Sequence, residues 1–250
     1  GFNTVQLALA NDEVAFDNQY FVSYFLPISN NIVEIYDAAP SRLISKIFTG
    51  DEFVFNSMPA TRIDNEQLAE ADLIIVNELS EISSGLAAGL RKNAENASLF
   101  IIPSAKNASA LNTFLAEIGG RGYAKLDTAT GQTQTINTSD PFFQEVFAGS
   151  LQNAYWPTIS SHFKFGNAAR LSAFNLMTLA NGDPIFIRLA NKTNNIFQLA
   201  LPLNDAFSDL AKHPVVVPMF IKALVKKDNL ANLTGEIGID SRFDIASPES

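Results

Sequence analysis

The strongest constraint on the fold of this chain is a pair of short apolar runs, each followed by a segment of helical periodicity. The runs are residues 73–76 (Leu-Ile-Ile-Val) and 99–102 (Leu-Phe-Ile-Ile). Runs of this length that are apolar on both faces are typical of parallel strands covered by helices on both sides. Residues 83–90 and 111–118 carry apolar side chains at helical spacing, and Gly119 closes the second helix. The sequence therefore predicts an α/β domain with a parallel sheet.

The same alternation of strand and helix begins earlier in the chain. Residues 32–36 and 53–55 predict strands, and helical segments follow at 43–48 and 64–68. Consecutive parallel strands joined by helices cross over right-handedly, so these units extend one sheet. Before them, alternating residues predict an antiparallel pair of strands at 5–9 and 20–26.

From Tyr123 onward the pattern predicts antiparallel strands added to the parallel core. Ser139-Asp140-Pro141 is typical of a helix N-terminus. Asn181-Gly182-Asp183 predicts the turn of a hairpin. The remaining predicted elements are a turn between exposed strands at 128–138, strands at 171–180, 185–189 and 196–201, a helical turn at 207–210 and an amphipathic helix at 218–230.

Residues 1–233 are predicted to form a single α/β domain, and 234–250 a C-terminal extension or the start of a following segment. The chain begins at Gly1 without a Met and ends on Pro-Glu-Ser. We therefore expect it to be a soluble region of a longer protein. No run approaches the roughly 20 apolar residues that cross a bilayer, so any membrane anchor is expected outside this sequence.

Charge and cysteine content exclude several classes of function. The 250 residues hold 26 acidic and 17 basic side chains, for a formal net charge of −9. So acidic a chain does not favour a phosphate backbone or an anionic membrane surface as its partner. There is no cysteine, which removes thiol nucleophiles, cysteine-based zinc sites and disulfides.

Polar residues that follow the predicted parallel strands are the candidate ligand-binding residues. They are Asn77, Glu78 and Ser104. Open parallel sheets bind ligands beyond the carboxyl ends of their strands, so these side chains could line a crevice. The alternative is that they only satisfy backbone groups in the turns, which is the common role of such residues.

Catalytic residues, metal ligands and cofactors are not predicted. Ser104 lies at a strand-to-helix turn, but it lacks the flanking glycines of a nucleophile elbow and is better interpreted as a helix N-cap. The histidines are His162 and His213, with no carboxylate at a spacing that specifies a metal site. His213 precedes Pro214 near a helix start, which favours a capping role. A serine-dependent hydrolase using Ser104 and His213 remains the alternative.

Aromatic side chains near the N-terminus allow a third hypothesis. Tyr20, Phe21 and Tyr24, or the single tryptophan Trp156, could form a carbohydrate-binding surface. Anchoring of an edge strand in the core is the favoured interpretation of the N-terminal aromatics.

Several segments together resemble the central region of bacterial membrane proteins of the aerotolerance-regulator type. The segments are 16–18 (Phe-Asp-Asn), 20–21 (Tyr-Phe), 71–79 (Ala-Asp-Leu-Ile-Ile-Val-Asn-Glu-Leu), 84–86 (Ser-Gly-Leu), 101–103 (Ile-Ile-Pro), 140–143 (Asp-Pro-Phe-Phe) and 212–218 (Lys-His-Pro through Pro218). The resemblance implies a flavodoxin-like layered sheet similar to class I glutamine amidotransferases, in a soluble region that faces the periplasm of a membrane-anchored protein.

Amidotransferases of that fold use a cysteine elbow with a histidine and an acidic partner, and here Pro103-Ser104 stands at the matching strand end. The resemblance therefore implies a scaffold without glutaminase activity. The leading hypothesis is a non-catalytic extracytoplasmic domain that acts by binding a ligand or a protein partner in or at the membrane, in envelope stress tolerance or aerotolerance.

Overall fold

Strands and helices alternate through most of the chain. The structure is a computed structural model, and it describes residues 2–8, 19–25, 29–128, 131–144, 146, 156–166, 171–190 and 195–224. The strands are β1 (Phe2–Ala8), β2 (Gln19–Phe25), β3 (Asn30–Tyr36), β4 (Phe53–Pro59), β5 (Leu73–Asn77), β6 (Ser98–Ile102), β7 (Tyr123–Asp127), β8 (Gly131–Ile136), β9 (Thr158–Ile159), β10 (His162–Phe165), β11 (Ser172–Leu179), β12 (Pro184–Ala190) and β13 (Asn195–Leu199). The helices are α1 (Arg42–Ile47), α2 (Asn65–Ala69), α3 (Ser84–Asn93), α4 (Asn112–Ile118), α5 (Pro141–Gln144) and α6 (Val216–Ala223), with 3-10 turns at Ala108–Leu111 and Leu210–Lys212.

Nine of these strands form the main sheet, in the order β4-β3-β5-β6-β13-β12-β11-β8-β9. The first five are parallel, and β12, β11, β8 and β9 each pair antiparallel with the strand before them. In chain order the parallel strands run 2-1-3-4-5, which is the flavodoxin-like arrangement. The predicted parallel core with added antiparallel strands is confirmed.

The central strands are apolar throughout because both faces of the sheet are covered. Every residue of β5 and β6 is buried. On one face, Phe100 packs in a cluster that includes side chains of α1 and α6. On the other face, Ile74 and Leu99 pack in a cluster that includes side chains of α2, α3 and α4. The domain is therefore three layers thick, and burial of both faces supplies the main driving force for its folding.

The helix termini at Ser83, Asp140 and Gly119 show capping chemistry, and the sequence predicted the last two. The Ser83 hydroxyl accepts from Leu86 N–H (3.2 Å) at the start of α3. The Asp140 carboxylate accepts from Phe142 N–H (2.9 Å) at the start of α5. Gly119 ends α4 with a φ of 83°, a left-handed conformation that favours glycine.

Two helices differ from the sequence prediction. The helix expected to begin near residues 104–107, with Ser104 as its N-cap, is instead a 3-10 turn at Ala108–Leu111 followed by α4. At that junction the Asn112 side chain exchanges two hydrogen bonds with the Tyr123 backbone (2.9 and 2.7 Å), which holds the start of α4 against β7. Helix α6 starts before Pro218, which is tolerated because N–H groups in the first turn have no partner within the helix. The predicted continuation of α6 beyond residue 224 lies outside the described residues.

Two small sheets accompany the main one. Strands β1 and β2 form the predicted antiparallel pair. Strand β7 pairs with β10. The predicted turn at 128–138 is wrong over most of its length, because residues 131–136 form β8, which pairs with β11 in the main sheet. The division at residue 233 remains a prediction, because 234–250 lie outside the described residues. Within the described part of the chain, no helix is both long and apolar enough to cross a membrane.

We predict that Phe100→Ala strongly destabilises the domain. The Phe100 ring is fully buried and lies 4.4 Å from Phe220 and 5.6 Å from Phe186, between ring centroids. Its removal leaves a cavity, and we expect a loss of about 3–5 kcal/mol in the free energy of unfolding. Phe174→Ala, at a residue that is 41% exposed, is the control; it removes the contact of the ring with the Arg188 guanidinium (4.5 Å) and should lose only about 1 kcal/mol. Urea denaturation measures both, and equal losses would contradict the assignment of Phe100 to the core.

Candidate functional site

A cleft of about 340 Å³ lies at the carboxyl ends of the parallel strands. Its walls come from the loop after β3 (residues 37–41), the end of β5 (77–78), the loop after β6 (104–106) and Leu203, which follows β13. Four of the five parallel strands therefore contribute to one opening. Its size falls in the lower range of small-molecule sites.

The strand order explains why a cleft forms at this point. After β3 the chain enters α1, which packs on one face of the sheet, and after β5 it leads to α3, which packs on the other face. The loops that leave β3 and β5 therefore diverge. This divergence is the topological switch point, where open α/β sheets place their ligands.

The three residues predicted from sequence meet in this cleft. Asn77, Glu78 and Ser104 all line it. The predicted N-cap role of Ser104 is wrong, because its hydroxyl accepts from Lys106 N–H (3.2 Å) in a turn, and the next helical residue is Ala108. The Ser104 hydroxyl therefore stabilises the loop after β6, and Ser104 still lines the cleft.

Glu78 has a backbone conformation that the sequence did not predict. Its φ is 52°, the one positive φ at a residue other than glycine in the described part of the chain. A left-handed conformation costs a glutamate roughly 1 kcal/mol, and such strain clusters at functional sites. Burial raises the pKa of the Glu78 carboxyl, although a hydrogen bond from Leu203 N–H partly offsets the rise.

Glu34 is the residue that the sequence reasoning missed. It lies on β3, fully buried, and its Oε1 accepts from Asn77 Nδ2 (2.7 Å) and Ser41 N–H (2.9 Å). Both donors belong to residues that line the cleft. The sequence does contain a sign of this residue, since Glu34 is a single carboxylate within the apolar run Ile32-Val33-Glu34-Ile35. Charged residues are almost never buried without a partner, so a carboxylate in a buried strand indicates a specific contact.

Side chains tie the loops of the cleft to one another. The backbone N–H of Ser80 (3.4 Å) and its hydroxyl both donate to Asp37 Oδ2. Asn107 Nδ2 in turn donates to the Ser80 carbonyl (3.2 Å). Loops that follow three different strands are therefore held together in the folded protein.

The serine hydrolase arrangement is not favoured by this geometry. His213 Nδ1 accepts from Val215 N–H (3.1 Å) just before α6, as expected of a capping residue. Its ring stacks on Trp156 at 6.4 Å between centroids. Among the described residues, no hydrogen bond joins Ser104 to a histidine. Trp156 also packs against the core, which does not favour it as a sugar-binding surface, and the side chains of Tyr20, Phe21 and Tyr24 lie outside the described ones.

A second polar cluster joins β7, β10 and the turn before β12. The possible ligand atoms of Asp127, His162 and Asp183 lie within 4.8 Å of one another, as a metal site would require. Lys164 Nζ lies 3.1 Å from Asp127 Oδ2 and 3.2 Å from Asp183 Oδ2, in the position of a cation. Partial burial raises the pKa of Asp183, but hydrogen bonds from Lys164 and with His162 outweigh it, and the pKa is lowered overall. The two carboxylates of the cluster therefore share one ammonium group as their counter-charge.

A larger and more open hollow, about 610 Å³, lies beside α2 at the edge strand β4. Its Asp64 carboxylate already caps α2 by accepting from Glu66 N–H (2.9 Å). It has neither the switch-point position nor a buried unpaired polar group, so the cleft at β3 and β5 is the stronger candidate site.

Comparison with known proteins places the fold but not the activity. No family model matches the sequence, and no curated protein does. Among solved structures, a cytoplasmic protein from Salmonella typhimurium is 12% identical over 89% of this chain and 94% of its own, with a TM-score of 0.57. A ThuA-like protein from Bacteroides uniformis is 13% identical over 80% of this chain and 92% of its own (TM-score 0.56). PurLQS from Thermotoga maritima is 13% identical over 78% and 98% (TM-score 0.50).

These similarities confirm a ThuA-like and glutamine amidotransferase-like fold. Identities this low show the fold alone, because unrelated functions share such folds.

We predict that the free energy of unfolding of Glu34→Gln increases relative to that of the native chain as the pH rises. Burial raises the pKa of Glu34 above its ordinary 4.5, and hydrogen bonds from Ser41 and Asn77 offset this only partly. The folded state therefore holds the proton more tightly than the unfolded chain, and stability is lost as the pH rises from about 4.5 through the folded pKa. Glutamine cannot ionise and escapes this loss.

Urea denaturation between pH 4 and 7.5 measures the difference in unfolding free energy between Glu34→Gln and the native chain. That difference should grow in favour of Glu34→Gln across the range. Exposed Glu52 supplies the matched control, Glu52→Gln, for which we expect no such trend. A constant difference for Glu34→Gln would contradict a raised pKa.

Proposed function

We propose that this chain is a non-catalytic ligand-binding domain that holds a small polar molecule in the cleft between the loops after β3, β5 and β6. The observation that carries the proposal is the convergence of Asn77, Glu78 and Ser104 in one cleft at the switch point. That position is where related topologies bind ligands. The loops are also cross-tied by Ser80, so a ligand would meet a formed site and would not have to order it.

Among the described residues that line the cleft, no nucleophile is paired with a base, and this supports a binding role. The sequence contains no cysteine, and the Ser104 hydroxyl is engaged by the Lys106 backbone. Nucleophilic catalysis by serine needs a neighbouring general base to take its proton. Of the two carboxylates that line the cleft, Glu78 accepts from the Leu203 backbone, and Asp37 accepts from the backbone and hydroxyl of Ser80.

We further propose that the domain works outside the cytoplasm, as part of a membrane-anchored bacterial protein in envelope stress tolerance or aerotolerance, with a protein partner in or at the membrane. The support is the resemblance of the sequence segments to proteins of the aerotolerance-regulator type. The structural relative from Salmonella typhimurium, described as a cytoplasmic protein, shares the fold, and a fold alone does not fix a compartment.

Blocking the cleft should abolish ligand binding. Ala105 is exposed and lines the cleft, so Ala105→Trp places an indole in its mouth. A fragment library screened by two-dimensional NMR should give binders that shift the backbone amides of Asn77, Glu78 and Lys106 in the native chain. We expect affinity to fall by at least about tenfold in Ala105→Trp. Ala180→Trp, at an exposed turn position, should bind as the native chain does.

Two outcomes would count against this function. If binders shift amides elsewhere and are indifferent to Ala105→Trp, the cleft is not the ligand site. If a fluorophosphonate probe labels the native chain but not Ser104→Ala, the domain is catalytic.

The location is tested on the protein expressed from its whole gene in its own bacterium. Protease added to spheroplasts, whose outer membrane has been opened, should digest this domain, because an extracytoplasmic domain is accessible there. A cytoplasmic marker enzyme that survives the treatment is the control. Digestion only after lysis of the inner membrane would place the domain in the cytoplasm instead.

A further inference from the structure

Glu34 is an unusual residue for the centre of a sheet. It lies between Val33 and Ile35 on β3 and has no exposed surface. Its side-chain partners among the described residues are the Ser41 N–H and the Asn77 amide, and neither carries a charge. Burying a carboxylate costs several kcal/mol unless a cation compensates it. A residue kept at that cost calls for a reason other than stability.

Hydrogen bonding at Glu34 is also one-sided. Ser41 N–H and Asn77 Nδ2 both donate to Oε1, whereas Oε2 is buried and has no hydrogen-bond partner among the described residues. Nearly all buried polar atoms in proteins are paired. A neutral glutamine would accept the same two bonds without the cost of a buried charge, so tying Ser41 to Asn77 does not explain a carboxyl group here.

The Glu34 carboxyl group lies behind the wall of the cleft and does not itself line it. Ser41 and Asn77 form part of the cleft wall, and each is a single hydrogen bond from Glu34. The wall also carries Asp37 and Glu78, against one ammonium group, that of Lys106. The wall therefore carries two carboxyl groups against one cation, with Glu34 buried as a third behind it, and this excess of acidic groups attracts positive charge.

We propose that Glu34 is the recognition residue of the cleft. When the Asn77 side chain in front of it shifts, its carboxyl group accepts a hydrogen bond from a protonated nitrogen on a small ligand, such as an amine, an amidine or a guanidine. This rests on the proposed ligand-binding function and adds the ligand class to it. Such a ligand supplies both the missing hydrogen bond and the missing positive charge. Charge-assisted hydrogen bonds of this kind are the strong ones in proteins.

The test compares charged probes with neutral ones of the same shape. The probes are n-butylammonium and benzamidinium, with 1-butanol and benzamide as their neutral counterparts. Each is titrated into the isotope-labelled full chain, up to on the order of 10 mM because small fragments bind weakly. The backbone amides of Ser41 and Asn77 are followed by NMR. At least one charged probe should give saturable shifts there, and its neutral counterpart should not.

Two variants locate the effect. In Glu34→Gln the affinity for the charged probe should fall by at least about tenfold, the value of a lost hydrogen bond to a charged group. In Glu52→Gln, which removes the same charge from an exposed position, affinity should stay within about twofold. The spectrum of Glu34→Gln without probe reports whether the variant is folded.

The pH dependence separates recognition from a structural role. A cation binds the ionised carboxyl group, and burial raises the pKa of Glu34, so affinity should increase as the pH rises from 4.5 through that pKa. In Glu34→Gln this increase should be absent or much reduced, with only the smaller contributions of Glu78 and Asp37 remaining.

Each result decides between defined alternatives. If neutral probes bind in the cleft, are blocked by Ala105→Trp and are indifferent to Glu34→Gln, the binding function stands and the assignment of Glu34 fails. If Mg²⁺ or Ca²⁺ shifts the same amides and displaces the charged probe at lower concentration, the ligand is a metal ion and the proposed class is wrong. If neither charged probe shifts the amides of the cleft, the assignment of Glu34 is overturned as well.

Discussion

Coverage of the parallel strands on both faces is the constraint on which the rest of the structure depends. Strands β5 and β6 bury every residue, and parallel neighbours can be joined only by long crossover connections. The helices of those crossovers cover one face after β3 and the other after β5. The diverging loops leave an opening at the strand ends, so the position of the cleft is a consequence of how the core is covered.

Sequence reasoning reached the sheet because its signals are local. The apolar runs at 73–76 and 99–102 indicate strands that are buried on both faces, and therefore parallel, from a few adjacent residues. The polar residues directly after the first run are Asn77 and Glu78, which is why they could be predicted as site residues. The helix expected before Ile118 was predicted less well. Its interruption depends on hydrogen bonds between Asn112 and Tyr123, eleven positions apart, and periodicity does not register such a contact.

The buried Glu34 and the ion-pair cluster around Lys164 could not be predicted from local sequence patterns, because their partners are distant in the chain. Glu34 meets Asn77 across 43 positions, and Asp127 meets Lys164 only because β7 pairs with β10. These two groups also differ in kind. The carboxylates of Asp127 and Asp183 share the Lys164 ammonium group as a counter-charge, as in a structural ion-pair network. Glu34 is left with an unpaired oxygen and no counter-charge within the described residues, an imbalance typical of residues retained for function at the expense of stability.

The position of Ser80 bears on how this protein can evolve. Its backbone and hydroxyl hold Asp37, and its carbonyl holds Asn107, so one residue couples loops that are far apart in the chain. Substitutions at coupled positions are not additive. A change in any one of these loops alters the effect of changes in the other two. Because the three loops are coupled in this way, a change of ligand preference would need coordinated substitutions in more than one of them.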